Sequence, residues 1–268
     1  MKKTLIALIT IAGSVMANEA TLRYLIEFND KDGSIKNAAV APGETALAVN
    51  GYVNWGGPGS LMDGSASAHS FGRSNNWNIV SSTGLGNGNN GILNATDGFT
   101  ITFNGYAGAN NWGDFISFTV GNQSYKFEIT DSTSLNIYNA TQQNTPEAQI
   151  AGISRNTWYN YGLSVMNGVA TLVAVDTDGA VVSQTTFSGL SGNLTGIYAC
   201  SSFEAHNKND YYLDNVAVYD GAIDVNGLRA ITREQVAGNG TLNVVPEPTT
   251  ATLSLLALCG LAARRRRK

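Results

Sequence analysis

Short apolar runs separated by turn-forming residues constrain the fold of this 268-residue chain more than any other feature. The runs are alternating or continuous, and they are too short for buried helices, so they indicate strands. Glycine and asparagine, which accept the positive φ angles of tight turns, separate the runs at 120–124, 166–169 and 176–179. This pattern predicts three successive hairpins, which place Phe115–Phe187 largely in one antiparallel meander.

The same pattern delimits eight strands along the chain. They are Thr21–Phe28, Phe99–Phe103, Phe115–Val120, Tyr125–Thr130, Trp158–Met166, Ala170–Asp176, Val181–Phe187 and Tyr211–Tyr219. One helix is predicted over Asp224–Val236, because Val225, Leu228 and Ile231 are spaced to cover one helical face. So many strands predict an all-β domain of two stacked sheets. The glycine- and asparagine-rich segment 237–245 is predicted to be a linker.

The amino terminus has the pattern of a secretory signal peptide. Lys2 and Lys3 precede an apolar run. The small residues Val15 and Ala17 stand at the positions that signal peptidase requires before its cleavage site. We therefore expect residues 1–17 to be removed on export.

The carboxyl terminus combines an apolar run with a basic cluster. Thr249–Ala263 has 15 apolar or hydroxylic residues, whereas a helix needs about 20 to cross the hydrocarbon. Arg264–Lys268 would hold this end on the cytoplasmic side of a membrane. A permanent single-span anchor and a transient retention segment both fit this composition.

A short motif precedes the apolar run. Pro246, Glu247 and Pro248, the apolar helix and the arginine cluster occur in the order that resembles the PEP-CTERM sorting signal of Gram-negative bacteria. The resemblance covers residues 246–268. It implies transient insertion in the inner membrane, cleavage near the Pro-Glu-Pro by an exosortase-type enzyme, and delivery to the cell surface or the extracellular matrix.

The charge of the exported part argues against some partners. Seven of the 16 basic residues and one of the 20 acidic residues lie in the two terminal signals, which leaves nine against 19 and a net charge of −10. Nucleic acids and anionic membrane surfaces attract basic patches, so neither is an expected partner. Cys200 is the only thiol outside the tail, and His69 and His206 are the only histidines, so a zinc site built from these ligands is not expected.

The order of the central segments resembles the LamG-like, or concanavalin A-like, jelly-roll domains. The matching segments are YLIEFNDKDG, GSASAHSF, DGFTITFNGYAGANNWGDFISF, TWYNYGLSVMNGVATLVAVDTDG and YYLDNVAVYDGAID. The resemblance covers most of Thr21–Glu234. It implies a two-sheet antiparallel sandwich over residues 18–236, on a fold that commonly carries calcium at a loop rim. Asp30, Asp32 and Asp214 are the candidate calcium ligands, since Ca²⁺ takes hard oxygen donors.

Two sequence motifs bear on other activities, dinucleotide binding and glycan hydrolysis. Gly86–Gly91 satisfies GxGxxG, but a strand rather than a helix follows, so a glycine-rich surface loop is predicted instead of a dinucleotide site. Some families on this fold hydrolyse glycans with Glu-x-Asp-x-Glu on one strand, where alternation places all three carboxylates on one face. This chain lacks that motif, and Glu128 stands alone in its strand.

Three tryptophans beside asparagine and glycine suggest a carbohydrate ligand. An aromatic face stacks on the apolar face of a sugar while amides bond its hydroxyls. The candidate residues for carbohydrate binding are Trp55, Trp77, Asn110, Asn111, Trp112 and Asp114. The alternative is that these loop tryptophans plug the ends of the sandwich, and Trp158, which begins a strand, is predicted to be core.

The sequence therefore predicts an exported, noncatalytic surface module that binds a polysaccharide or a glycoprotein glycan. A glycan-cleaving enzyme on the same fold and a structural matrix protein without a discrete ligand are the alternatives.

Overall fold

The computed structural model describes residues 20–26, 49–51, 54–55, 68–70, 77–80, 84–86, 91–108, 113–129, 133–141, 145–199 and 211–236. These residues form two antiparallel β-sheets and one helix, which confirms the predicted fold class. The signal peptide, the linker, the apolar run of the tail and Cys200 lie outside the described residues. Within the described ranges, no helix has the length and apolar character needed to traverse a bilayer.

The elements are numbered in chain order. They are β1 (Thr21–Ile26), β2 (Val49–Gly51), β3 (Asn54–Trp55), β4 (Ala68–Ser70), β5 (Trp77–Val80), β6 (Phe99–Ala107), β7 (Gly113–Val120), β8 (Gln123–Ile129), β9 (Ser134–Asn139), β10 (Ala148–Ala151), β11 (Trp158–Met166), β12 (Val169–Val175), β13 (Val181–Ser188), β14 (Leu194–Ala199), β15 (Tyr211–Asp220) and α1 (Val225–Val236).

The strands divide into an eight-stranded and a seven-stranded sheet. The eight-stranded sheet has the order β13-β12-β11-β6-β15-β4-β3, and the seven-stranded sheet has the order β10-β9-β8-β7-β14-β5-β2. The eighth strand of the first sheet is β1, which pairs with β15. Two strands share one edge of β15. Strand β4 pairs with its first three residues, and β1 pairs with its last five.

The predicted meander is only partly right. Each predicted strand is present within the described residues, and the predicted hairpins join β7 to β8, β11 to β12 and β12 to β13. The single meander over Phe115–Phe187 is wrong, because β7–β10 belong to the seven-stranded sheet and β11–β13 to the other. Turn residues determine which strands are joined in a hairpin, but they do not determine in which sheet the next strand continues.

Aromatic side chains from both sheets form the center of the core. Phe103 of β6 lies 5.3 Å from Phe127 of β8 and 5.9 Å from Phe115 of β7, measured between ring centroids. Gly105 leaves the room that these rings need, since a Cβ there would lie 3.0 Å from Tyr161 and 3.2 Å from Phe115. The two sheets thus pack through large rings where one strand has no side chain.

Helix α1 covers part of the outer face of the eight-stranded sheet. Asp224 caps it, since its Oδ1 accepts a hydrogen bond from the Gly227 amide at 2.8 Å. Leu228 is buried against Gly162, where a Cβ would come within 2.7 Å of the leucine methyl groups. Tyr219 belongs to the same buried cluster, and burial raises the pKa of its phenol well above the ordinary value, so it stays neutral at physiological pH.

Among the described strands, five sheet-to-sheet connections share one end of the sandwich. The chain passes between the sheets from β2 to β3, from β4 to β5, from β6 to β7, from β10 to β11 and from β14 to β15. The registers place the strand ends that these connections join at the same end: Ala107 faces Tyr211, and Trp77 faces Ala199. We call this the crossover end.

A buried arginine ties three segments together away from the crossover end. Arg23 of β1 is 1% exposed, and its Nη1 lies 2.6 Å from Oδ2 of Asp220, at the end of β15. Its Nη2 donates to the carbonyl oxygens of Gly86 at 3.2 Å and Gly91 at 2.8 Å. The guanidinium therefore closes the mouth of the glycine-rich loop onto the β1–β15 pair.

We expect Arg23→Met to lower the free energy of unfolding by about 2 to 4 kcal/mol, because it removes a buried charge-assisted cluster and leaves two carbonyl groups unpaired. Urea unfolding followed by tryptophan fluorescence measures the change. Arg229→Met is the matched control, since Arg229 donates one half-buried bond to the Gly179 carbonyl at 2.8 Å. Its expected loss is about 1 kcal/mol, and equal losses in the two variants would contradict this role of Arg23.

Candidate functional site

Three aromatic side chains lie side by side on the outer face of the eight-stranded sheet, at the crossover end. Tyr212 of β15 faces Tyr106 of β6, and Tyr106 faces Trp158 of β11. Ring centroids are 5.5 Å apart in both contacts. Trp158 is 1% and Tyr212 8% exposed, whereas Tyr106 is half-buried. In this aromatic row, Tyr106 is therefore the ring that offers most surface to a ligand.

A row of buried amides lies next to the aromatic row. Asn104 and Asn160 face each other on β6 and β11, two residues along from Tyr106 and Trp158 and on the same sheet face. Asn160 Nδ2 donates to Asn104 Oδ1 at 2.7 Å and to Oε1 of Gln235, in the last turn of α1, at 3.1 Å. We call Asn104, Asn160 and Gln235 the amide row.

Several polar atoms of the two rows have no protein partner within the described ranges. They are Asn104 Nδ2, Asn160 Oδ1, Gln235 Nε2 and Trp158 Nε1. A buried polar group without a partner costs about 1 to 3 kcal/mol, so native proteins pair such groups with protein, water or ligand. Three donors and one acceptor beside aromatic rings are the groups that a hydroxyl-bearing ligand or a water molecule can satisfy.

The connection from β10 to β11 is fixed beside the aromatic row. Asn156 has φ 58°, its amide donates to the Ala107 carbonyl at 2.7 Å, and its Oδ1 accepts a bond from the Tyr106 hydroxyl at 3.2 Å. Arg155 Nη1 donates to the Gly108 carbonyl at 3.3 Å. These bonds pin the connection to the end of β6, and the exposed Asn156 adds an amide at the edge of the aromatic row.

The predicted carbohydrate ligands are only partly covered by the structure. Asn110, Asn111 and Trp112 lie outside the described residues. Asp114 lies on β7, half-buried, opposite Glu128. The rim that these residues were predicted to form stays a prediction.

Two predicted loop tryptophans lie in strands. Trp55 is in β3, opposite Ala68, and Trp77 begins β5, opposite Ala199. The loop assignment is wrong because Trp55 pairs with the next strand of the chain and Trp77 with a strand distant in sequence, and the neighbouring glycines and asparagines reveal neither pairing. The side chains of both tryptophans lie outside the part of the chain that the structure describes. The prediction that Trp158 is buried is confirmed.

The structure describes one of the three predicted calcium ligands. Asp30 and Asp32 lie outside the described residues. Asp214 is fully buried on β15, opposite Asn104, and its Oδ1 accepts a bond from the Asn215 amide at 2.9 Å. Across the part of the chain that is described, no three histidine, cysteine, aspartate or glutamate side chains come together as a metal site. Calcium binding stays a prediction.

A charged cluster that the sequence did not predict lies on the outer face of the seven-stranded sheet. Lys126 Nζ is 2.5 Å from Glu128 Oε2, and both side chains are buried. Lys126 Nζ also lies 5.5 Å from the ring centroid of Tyr138, and Asp114 faces Glu128 on the next strand. Glu128 therefore does not stand alone, although the enclosed ion pair presents no open carboxylate.

The GxGxxG motif forms the mouth of a loop. Gly86 and Gly91 have φ 82° and 86°, and both carbonyls accept bonds from Arg23. The next regular element is β6, a strand, at Phe99. The two glycines are therefore explained by the backbone shape of this loop, without a bound nucleotide.

Comparison with known proteins identifies the tail and the fold. Residues 244–268 match the PEP-CTERM protein-sorting motif, two residues longer than predicted. This motif indicates an exported protein that an exosortase-type system sorts through the cell envelope. No curated protein matches the chain in sequence.

The described fold is similar to several solved structures. The botulinum neurotoxin serotype D binding domain is 11% identical, with a TM-score of 0.54 over 82% of this chain and 53% of that chain. The Trypanosoma rangeli sialidase is 10% identical, with a TM-score of 0.54 over 80% of this chain and 33% of that chain. The binding domain of Paraclostridial Mosquitocidal Protein 1 is 14% identical, with a TM-score of 0.51 over 80% and 52%. The chain thus spans about half the length of the two binding domains and a third of the sialidase, and at these identities the likeness shows a shared β-sandwich.

Two alanine substitutions test the structural role of the GxGxxG glycines. Both positions have positive φ, which costs alanine about 1 kcal/mol. A Cβ at Gly86 would also lie 2.6 Å from the Gly91 carbonyl and 2.9 Å from Arg23 Nη2, whereas a Cβ at Gly91 meets nothing within 4 Å. We expect Gly86→Ala to lower the melting temperature clearly more than Gly91→Ala in differential scanning calorimetry. A larger loss for Gly91→Ala would show that the Arg23 clamp does not hold this loop.

Proposed function

We propose that the exported domain binds carbohydrate through the aromatic row and the amide row at the crossover end. The observation that carries this proposal is the half-buried Tyr106 ring, which lies between Trp158 and Tyr212 and next to buried amides with unpaired atoms. Sugars offer an apolar face to an aromatic ring and hydroxyls to donors and acceptors, so a pyranose can stack on the half-buried Tyr106 ring and bond the exposed Asn156 amide at its edge, next to the buried amide row.

The composition of the domain is compatible with a neutral glycan. Sugar stacking and hydroxyl bonding need no basic patch, and the predicted exported part carries a net charge of −10. The predicted rim residues Asn110, Asn111 and Trp112 follow Tyr106 closely in the sequence, and they stay part of the proposal. Calcium, with Asp30, Asp32 and Asp214 as candidate ligands, is a separate part of it.

Binding is favoured over cleavage by the state of the carboxylates. Among the described residues, Asp114 and Glu128 are the carboxylates that face each other on an outer sheet face, but Glu128 is buried in the ion pair with Lys126. Most glycan hydrolases use a carboxylic acid and a carboxylate that both reach the scissile bond. The names of the structural neighbours include binding domains and a sialidase, so the shared fold by itself selects neither activity. Release of reducing sugar from a bound glycan would identify the enzyme alternative.

The sorting tail supports a location outside the cell for the proposed binding module. We infer that the chain is inserted transiently in the inner membrane, cleaved near Pro246–Pro248, and delivered to the surface or extracellular matrix of a Gram-negative bacterium. The PEP-CTERM match supports this route. A structural matrix protein without a discrete ligand would follow the same route, and loss of binding in a folded variant separates the two.

We expect Tyr106→Ala to weaken binding to the glycan that a glycan array identifies by about five- to 100-fold, equivalent to about 1 to 3 kcal/mol, because it removes the accessible stacking ring. Isothermal titration calorimetry measures the affinity. Tyr198→Ala is the matched control, since Tyr198 is also half-buried but lies on β14 of the other sheet. Unchanged affinity for Tyr106→Ala, with a loss for Tyr198→Ala, would move the site to the seven-stranded sheet. Unchanged affinity for both variants would contradict the proposed site.

We expect the protein recovered from the cell surface to end near Pro246, because the exosortase-type enzyme cuts at the Pro-Glu-Pro. Mass spectrometry of the carboxyl-terminal peptide measures this end. Glu247→Ala should leave the apolar tail attached and the protein in the inner-membrane fraction. A surface protein that still ends at Lys268 would contradict tail processing and favour the permanent anchor.

A further inference from the structure

We propose that β13 is an interface through which two copies of this chain pair, edge to edge, to form one continuous sheet. The inference concerns self-association and does not depend on the proposed ligand. It rests on the composition, exposure and position of this strand.

Among the described strands, β13 ends the eight-stranded sheet, and its sequence lacks the usual protection of an edge. It occupies one end of the strand order and pairs with β12 from Val175↔Val181 to Val169↔Ser188. Its sequence, VVSQTTFS, has no charged residue and no proline. Native edge strands are commonly kept apart by charges, proline, bulges or shortness. The eight-residue β13 has one irregularity, close to its first residue, so the rest of its length is a regular template.

The exposed side chains of β13 alternate with less exposed ones and lie on the outer face of the sheet. Gln184, Thr186 and Ser188 are exposed, and Val181 is 37% exposed. Phe187 is buried and anchors the strand to the core. The strand is thus held in place from the inside and presents uncharged polar side chains on the outside.

A second copy of the same strand is the partner that fits this edge. Two identical strands that pair antiparallel obey a two-fold axis, so each residue meets its own symmetry equivalent or a near neighbour. With no charge on β13, no like charges meet, and threonine and serine pairs across strands are favourable. Asp176 and Asp178 precede β13, and the antiparallel arrangement places the two copies of this turn at opposite ends of the pair.

The edge of the other sheet lies on the same side of the sandwich. Strand β10, which ends the seven-stranded sheet, packs beside β13. Its sequence, AQIA, is also uncharged, and its Gln149 and Ala151 are exposed. Two copies joined at β13 therefore bring their β10 edges together, which widens the contact from one strand to two layers. Such a dimer would present two crossover ends and would gain avidity for a repetitive ligand.

Cysteine scanning across the strand tests this pairing. Single cysteines replace Ser183, Gln184, Thr185 and Thr186 in the full chain that also carries Cys200→Ser and Cys259→Ser, and non-reducing electrophoresis of isolated membranes measures disulfide dimers. Residues that face each other across the two-fold axis have Cα atoms about 4.5 to 5.5 Å apart, close enough for a disulfide. Val169→Cys is the control, because Val169 is 45% exposed but lies on β12, inside the sheet.

We expect at least one edge position to give about tenfold more dimer than Val169→Cys, with a maximum near the middle of the strand. Equal cross-linking at all positions, or none above the control, would overturn the proposal. Sedimentation of the full chain in detergent gives an independent reading: the wild type should be a dimer, and Thr186→Lys a monomer with an unchanged melting temperature. A monomeric wild type, or a Thr186→Lys dimer, would also overturn it.

Discussion

The contact between Phe103 and the rings of Phe115 and Phe127 is the packing on which the rest of the structure depends. It joins the two sheets, and it lies on strands that lead directly to the crossover end. Large rings bury much apolar area at low entropic cost, which suits the center of a sandwich. Gly105 allows the rings to approach β6, so the end of β6 and the start of β7 are held close enough for a short connection. The position of the site residues therefore follows from the core beneath them.

The outer faces of the two sheets are completed in different ways. On the eight-stranded sheet, α1 covers the apolar part with Leu228, and its last turn reaches Asn160 through Gln235. The aromatic row lies beyond the end of the helix and is thus left at the surface through Tyr106. On the seven-stranded sheet, the Lys126–Glu128 ion pair is enclosed and keeps its charges satisfied within the protein. The first face carries the proposed site, whereas the ion pair on the second face joins two residues of one strand, β8.

Prediction from the sequence succeeded for elements that are determined by residues close together in the chain. Trp158–Met166 was predicted with the bounds that the structure shows, because Asn167 and Gly168 take the positive φ angles of the turn that follows. The helix was predicted because its apolar residues share one face, and Asp224 supplies the cap. Seven of the described strands were missed. β2–β5 and β10 have only two to four residues, and the six-residue β9 and β14 were not among the clearest apolar runs.

The candidate site could not be predicted because its residues come from distant parts of the chain. Asn160 lies 56 residues from Asn104 and 75 from Gln235, so nothing local signals their contact. Tyr106, Trp158 and Tyr212 have the pattern of strand residues, and only their register brings them into one row. Lys126 and Glu128 carried a usable signal, since alternation places residues two apart on one sheet face.

The most direct test of this account is the nuclear magnetic resonance signal of the Trp158 indole N–H during titration with an oligosaccharide that the protein binds. The Nε1 atom is buried, has no partner within the described ranges, and belongs to the aromatic row. We predict a saturable shift of this signal, together with the side-chain amides of Asn160 and Gln235. Saturable shifts confined to the seven-stranded sheet, with an unmoved Trp158 signal, would contradict the account.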